Sequence, residues 1–336
     1  MRIACYNVEW FDRLFDDEGQ LQRDTCWSGR RGVKRADQAK ALGHVFQRID
    51  ADAIMVIEAP DDHQHRSGTR ALENFAKAYD LRSCKALIGF TNTTQQEIAL
   101  LYDPTKLTAT HDPIGALGDP VPPFNETYQI DLDIDNRADS VRFSKPPLEL
   151  AIETAAGNNL RMIGAHLKSK APHGAHNAAE VMRLSIANRR KQLAQAVWLR
   201  ARVEEHLDAG EALMVLGDLN DGPGLDEYEN LFGRSSVEII LGEIGCPCLY
   251  DPHAARALAR KIGGEPTTSR FFLKKDNRYL QALLDYIMVS DDLRYKAKTW
   301  RIWHPFDDPE CWEDLKLRDA LLTASDHFPV TLDLDF

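Results

Sequence analysis

Met214-Val215-Leu216-Gly217-Asp218-Leu219-Asn220-Asp221 reads as a short buried strand that runs directly into chemistry. Ala212 to Gly217 has the length of a core strand, and a carboxylate and a carboxamide then stand two residues apart where the strand gives way to a loop. Side chains two apart on an extended segment face the same way. The acid can take a proton from water while the amide holds that water or a phosphoryl oxygen; an Asp-Asn turn explains the same letters.

The pattern recurs along the chain. Ile3 to Tyr6 ends at Asn7, Ala53 to Ile57 at Glu58, and Leu160 to Ala165 at His166. Leu283 to Val289 carries Asp285 within the run, and Pro329 to Leu334 begins just after Asp326 and His327. Carboxylates at the ends of core strands must be paired, hydrogen-bonded or bound to metal, because desolvating an ion is expensive. These strand ends are therefore expected to converge on one site. Helical stretches at Arg35–Ile49, Thr69–Tyr79 and Ala178–Leu207 alternate with the strands, and further strands are expected at Glu97–Tyr102 and Pro147–Thr154. No linker splits the chain, so 1–336 is read as a single domain. The Pro/Gly-punctuated Gly115–Pro123 and the acidic Asp131–Asn136 mark a surface insertion around 115–140.

Composition narrows the class. With 336 residues, 43% of them hydrophobic, the chain can bury a sizeable core, and disordered, collagen-like and coiled-coil readings fail. The net charge of -11 argues against strong nonspecific binding to nucleic acid. Yet Arg161 to Arg202 holds nine basic residues against one acid, Glu180, a stretch that can draw a polyanion to a nearby site or be a solvated helix face paired with acids. The first seven residues reach polar Asn7 too soon for a secretory core, and no apolar run spans a membrane. A soluble, cytoplasmic protein with six reduced cysteines is expected; Cys246 and Cys248 flank one proline, a pattern better explained by a turn than by zinc.

Ser325-Asp326-His327-Phe328-Pro329-Val330 adds an acid beside an imidazole, and Asp285 is the natural candidate to orient that histidine. In order, Tyr6-Asn7-Val8-Glu9, Val56-Ile57-Glu58, Ala165-His166-Leu167-Lys168-Ser169, the GDLND run from Gly217, Leu284-Asp285-Tyr286-Ile287 and the SDHFPV run from Ser325 resemble the endonuclease/exonuclease/phosphatase superfamily of deoxyribonuclease I-like, metal-dependent phosphoesterases. The resemblance spans nearly the whole chain. It implies an α/β four-layer α-β-β-α sandwich, two mixed, mostly antiparallel sheets with helices outside, and an active site at one end.

Residue by residue, the resemblance makes Glu58 the main ligand of a divalent ion, with Asn7 and Asp326 beside it and Glu9 a further ligand. The ion is expected to be Mg2+, or else Mn2+, since carboxylate and amide oxygens suit a hard cation. Asp218 would orient or deprotonate the attacking water, Asn220 would hold it or a phosphoryl oxygen, and His327, set by Asp285, would stabilise phosphate charge. Whether His327 or Asp218 is the base stays open, and His166 is a candidate to protonate the leaving oxygen or bind phosphate. Lys168 and Lys145 are the expected substrate contacts. Two features depart from the family pattern: Ser144-Lys145-Pro146-Pro147-Leu148 has lysine where many relatives have arginine, with Arg142 on the opposite face, and Ala59-Pro60 follows Glu58.

His173 with His176, His63 with His65, and the pair Trp10 and Phe11 also invite functional readings; loop and core positions explain them as well. The leading expectation is a phosphodiesterase that hydrolyses DNA or RNA by in-line water attack, since His166-Leu167-Lys168-Ser169-Lys170 and the basic helix after it look like bacterial nuclease-like members. A phosphatase or phospholipid diesterase would use the same groups. A noncatalytic binding protein is disfavoured because every expected position holds a competent residue. Neither a stable membrane association nor a protein partner is expected.

Overall fold

The structure, a computed structural model, describes residues 1–336 except 64, 93, 95, 133–137, 173, 223–232, 244, 260–265 and 275. One sheet has the order β14 (Ala297–Ile302), β15 (Val330–Leu334), β1 (Arg2–Asn7), β2 (Ala53–Pro60), β4 (Gln96–Tyr102), β3 (Lys85–Ile88). The other has the order β13 (Asp285–Val289), β10 (Leu213–Asp218), β9 (Asn159–His166), β8 (Leu148–Thr154), β5 (Leu107–His111). Each sheet contains one parallel pair, β1 with β2 and β9 with β10, among antiparallel neighbours. A parallel pair needs a crossover. The helix Arg35–Ile49 lies in the first and the helix Ala178–Asp208 in the second.

Alternation along the strands builds the layers. In β1, Ile3 and Cys5 join Met55, Met162, Met214 and Ile287 in the core between the sheets, while Ala4 and Tyr6 face outward onto Leu42, Val45 and Phe46 of the first crossover helix. In β10, Met214 and Leu216 point inward, and Leu213 and Val215 pack with Trp198, Leu199 and Val203 of the second. The order is helix, sheet, sheet, helix, as the sequence led us to expect. Truncating an inner-layer residue such as Leu216 to alanine is expected to cost about 2–5 kcal/mol.

Two smaller hairpins flank the body: β6 (Tyr128–Asp131) with β7 (Ala138–Val141), and β11 (Ser269–Leu273) with β12 (Arg278–Ala282). The first lies in the segment read as a surface insertion. Gly115 to Pro120 is exposed, but Phe124, Ile130 and Val141 are buried against the second crossover helix, with Tyr128 stacked on Trp198. The basic stretch also differs from a continuous solvated face. Arg189, Arg200 and Arg202 are buried, committed to Asp221, to Glu204 and carbonyl oxygens, and to Glu149 and Glu205. Arg161 pairs with Asp112 and Glu211. Among the described residues, no helix is long and apolar enough to cross a membrane.

Candidate active site

The parallel strands of both sheets end at the same edge, and their antiparallel neighbours begin there. His166, Asp218 and Asp285 form one row across β9, β10 and β13, because Asp218 is the register partner of both His166 and Asp285. Gly217 permits this row: its φ is +152°, and a Cβ there would lie 1.8 Å from the Ala165 carbonyl oxygen. Only glycine tolerates both. From the other sheet, Asn7 ends β1 and Glu58 sits in a bulge where the β2–β4 register shifts between Ile57 and Ala59. The bulge holds Glu58 at φ +62°, a left-handed conformation that costs a non-glycine residue about 1–2 kcal/mol. Asp326 and His327 precede β15.

At this edge hydrogen bonds cross from sheet to sheet. Asn7 Nδ2 donates to Asp218 Oδ2 at 2.9 Å, and His327 Nδ1 donates to Asp285 Oδ2 at 2.7 Å. Asp218 also accepts from the Asn220 backbone N–H at 2.8 Å and from Asn220 Nδ2 at 3.2 Å. Burial, reinforced by Asp285, raises the Asp218 carboxyl to about 7 against the pull of His327. Burial opposes charge on His327, but Asp285 and Asp218 outweigh it and hold its pKa well above the ordinary value. Its Nε2 faces Asp218 Oδ2 at 3.9 Å.

His166 moves the other way. Burial first, then Lys145, His327 and Lys168, push its pKa well below normal, so its imidazole is neutral at pH 7. Lys145 Nζ lies 3.1 Å from Nδ1 and donates to it, leaving the proton of the neutral ring on Nε2, 3.6 Å from Asp218 Oδ2. The Lys145 ammonium is itself lowered by burial, and it donates to Gln96 Oε1 at 2.5 Å. Gln96 Nε2 in turn donates to Glu58 Oε2 at 2.5 Å, whose carboxyl is raised by burial. Glu58, Gln96, Lys145 and His166 thus form one chain across the cleft.

All the candidate residues from the sequence meet here. Asn7, Glu9, Glu58, Lys145, His166, Lys168, Asp218, Asn220, Asp326 and His327 line one cleft of about 730 Å³, with Asp285 directly behind His327. Lys145, Lys168 and Lys170 give it a basic wall, and Phe271, Leu273, Leu280 and Ala282 of the β11–β12 hairpin an apolar one. Arg142 is elsewhere, exposed and donating to the Asn125 carbonyl. His63 pairs with Asp61, Phe11 is buried in the core, and His176 is exposed; His173 lies outside the described residues. Trp10 donates to Glu9. Cys246 and Cys248 are free thiols.

Sequence reasoning passed over three participants. Gln96 begins β4, two residues before the apolar run Ile98–Leu101, so a search of both ends of each run would have flagged it. Ser325 donates through Oγ to the Asn7 carbonyl and accepts from the Glu9 and His327 backbone N–H groups, tying three segments together. Arg30, on a loop between Trp27 and Lys34, pairs with Glu9 and carries no signal in its local sequence.

By overall structure the chain is similar to TDP2 from Caenorhabditis elegans, with a TM-score of 0.51 and 14% identity over 99% of this chain and 73% of that one. It is equally similar to a mannosyl-6-phosphatase from Bacteroides thetaiotaomicron, with a TM-score of 0.51 and 14% identity over 100% of both chains. A D. rerio TDP2 complexed with single strand DNA product gives a TM-score of 0.50 and 11% identity over 100% of this chain and 99% of that one. At these identities the likeness shows the fold alone. No curated protein matches the sequence. The sequence pattern of the Endonuclease/Exonuclease/phosphatase family, however, matches residues 4–327, and with the two-sheet fold around this cleft it establishes that the chain belongs to that family.

Proposed function

We propose that the chain is a divalent-metal-dependent phosphodiesterase that hydrolyses nucleic acid by in-line attack of water on phosphorus. The observation that carries this reading is the joining of an oxygen-donor cluster and a buried Asp218–His327–Asp285 group by the 2.9 Å bond from Asn7 to Asp218. The donor set fits a hard cation. Asn7 is 2% exposed, and its Oδ1 has no partner among the described residues, an expensive arrangement unless something binds there. Asn7, Glu58 and Asp326 would hold Mg2+ or Mn2+, which takes oxygen ligands and keeps several waters. When bound, the ion supplies positive charge against the charge that builds on the phosphoryl oxygens.

Asp218, Asp285 and His327 also lie within ligand distance of one another, but the bond from His327 to Asp285 already uses that closeness. Asp218 is the base: the Asn7 and Asn220 amides aim its carboxylate, and it takes the proton of the attacking water. His327, kept cationic by Asp285, donates from Nε2 to a phosphoryl oxygen. Neutral His166 hydrogen-bonds the phosphate through Nε2–H rather than protonating the leaving oxygen. Lys145 and Lys168 neutralise phosphate charge, and among the described residues no carboxylate lies within ion-pair distance of Lys168.

The basic wall supports a polyanionic substrate, and a structural neighbour is named for its complex with single strand DNA product. The name mannosyl-6-phosphatase on another neighbour keeps a sugar phosphate in the test. The experiment is a panel of plasmid DNA, RNA, bis-p-nitrophenyl phosphate, mannose 6-phosphate and sphingomyelin, each with Mg2+, with Mn2+ and with chelator. Turnover of DNA or RNA that chelator abolishes is expected. Exclusive turnover of the sugar phosphate or the lipid overturns the substrate class, and full activity in chelator overturns the metal.

A further inference from the structure

The acidic end of the cleft already contains a cation. Arg30 reaches between two of the carboxylates: its Nη1 pairs with Glu9 Oε2 and lies 4.0 Å from Asp326 Oδ1. Its Nη2 donates at 3.1 Å to the carbonyl of Leu322, near the end of the helix Leu315–Ala324. The last carbonyls of a helix lack helical partners and sit at the negative end of its dipole, so this anchor suits a cation. With its side chain 11% exposed, the guanidinium is built into the site rather than loose on the surface.

Glu9 is held from every side. Oε2 is taken by Arg30, Oε1 accepts from Trp10 Nε1 at 3.0 Å, its backbone carbonyl accepts from Gln38 Nε2 at 2.7 Å, and its backbone N–H donates to Ser325. Asn7 Oδ1, by contrast, has no partner among the described residues. Of the four residues the sequence singled out as ligands, Glu9 has both carboxylate oxygens hydrogen-bonded by protein donors, whereas Glu58 accepts at Oε2 from Gln96 and keeps Oε1 3.9 Å from Lys145 Nζ. A divalent ion placed between Glu9 and Asp326 would meet the guanidinium at close range and would have to strip a buried arginine of its acid.

We propose that Arg30 is a resident cation that withdraws Glu9 from the ligand set, so that this chain takes one divalent ion, held by Asn7, Glu58 and Asp326, and not two. The inference rests on the metal-dependent reading above. It makes Arg30 and Glu9 positioning residues: the guanidinium bonded to Glu9 stands 4.0 Å from Asp326 Oδ1 and acts on the ligand set without contacting substrate.

The test is a titration of Mn2+ into the intact chain, followed by calorimetry and by electron paramagnetic resonance of the free ion. The native chain saturates at one ion. Glu9→Gln keeps that stoichiometry with Kd changed by less than about threefold, whereas Glu58→Gln weakens binding by about 100-fold. Arg30→Met, once circular dichroism shows it folded, admits a second and weaker ion, and Arg30→Lys returns the count to one. If Arg30→Met does not fold, the Glu9→Gln titration decides alone. Two ions on the native chain, a loss in Glu9→Gln equal to that in Glu58→Gln, or a folded Arg30→Met still limited to one ion overturns the role of Arg30 and leaves metal dependence standing. No ion on the native chain overturns both.

Discussion

The two sheets use the same connection and end in different chemistry. β1 and β2 run parallel across a helical crossover and present Asn7 and Glu58; β9 and β10 do the same and present His166 and Asp218. An antiparallel neighbour completes each, β15 entered through Asp326 and His327, and β13 starting at Asp285. One half gathers oxygen donors, which in the proposed function hold a hard cation, while the other buries the titratable groups that in that proposal hold or move protons. The halves are interleaved, because His327 enters from the first sheet and bonds to Asp285 of the second. A topology that brings strand ends together leaves their chemistry to the residues placed there, and the two halves should therefore respond to substitution in different ways.

Asp218→Asn keeps the shape of the second half and removes the proposed base, so kcat should fall about 10³- to 10⁴-fold with Mn2+ affinity nearly unchanged. Parallel steady-state kinetics and Mn2+ titration check this, and a variant that loses the ion as well as the rate would show the halves to be inseparable. Glu58→Gln should do the reverse, weakening Mn2+ binding by about 100-fold while excess Mn2+ recovers much of kcat.

The pH profile probes the second half alone. Asp218, raised to about 7 by burial and Asp285, must be ionised to act, so kcat/KM should climb as pH rises through about 7. His327 stays protonated there because Asp285 and Asp218 overcome its burial. Asp285→Asn removes the main support of that charge, lets the His327 pKa fall toward its ordinary value, and should add a decline on the alkaline side with a loss of about 100-fold at pH 8. A variant profile of unchanged shape would remove His327 from the cationic role.

Gln96→Leu cuts the chain that links the halves, from Glu58 through Lys145 to His166, and leaves every charged group in place. A drop of about tenfold is expected, with the coupling of Glu58 to Lys145 in a double-mutant cycle reduced but not abolished, because Lys145 Nζ still lies 3.9 Å from Glu58 Oε1. Lys168→Ala should act least, weakening nucleic-acid binding a few-fold and lowering the slope of log affinity against log salt by about one. A slope that does not change would take Lys168 off the phosphate backbone.

Much of the site was legible because the signal was local. An acid or amide at the end of an apolar run is unusual enough to mark Asn7, Glu58 and Asp218, with Asp285 inside its run, and the apolar runs foretold β1, β2, β4, β8, β9, β10, β13 and β15 but not the edge strands β3, β5 and β14. The basic stretch reads either as a draw for polyanions or as a solvated face paired with acids; Arg189, Arg200 and Arg202 do pair with acids and carbonyls, but in the interior, which charge alone does not reveal.

From the amino-acid order alone came the strand ends that carry chemically competent residues, since a charge at the end of a buried run is costly, and the roles that the resemblance of the ordered motifs to the family implied for them. Which side chain holds which was decided only on folding. That Asn7 bonds Asp218 across the sandwich, that Lys145 pins the tautomer of His166, and that Arg30 occupies Glu9 are contacts between groups 21 to 211 residues apart. Their energies depend on distance and dielectric in three dimensions, quantities that separation along a chain does not carry.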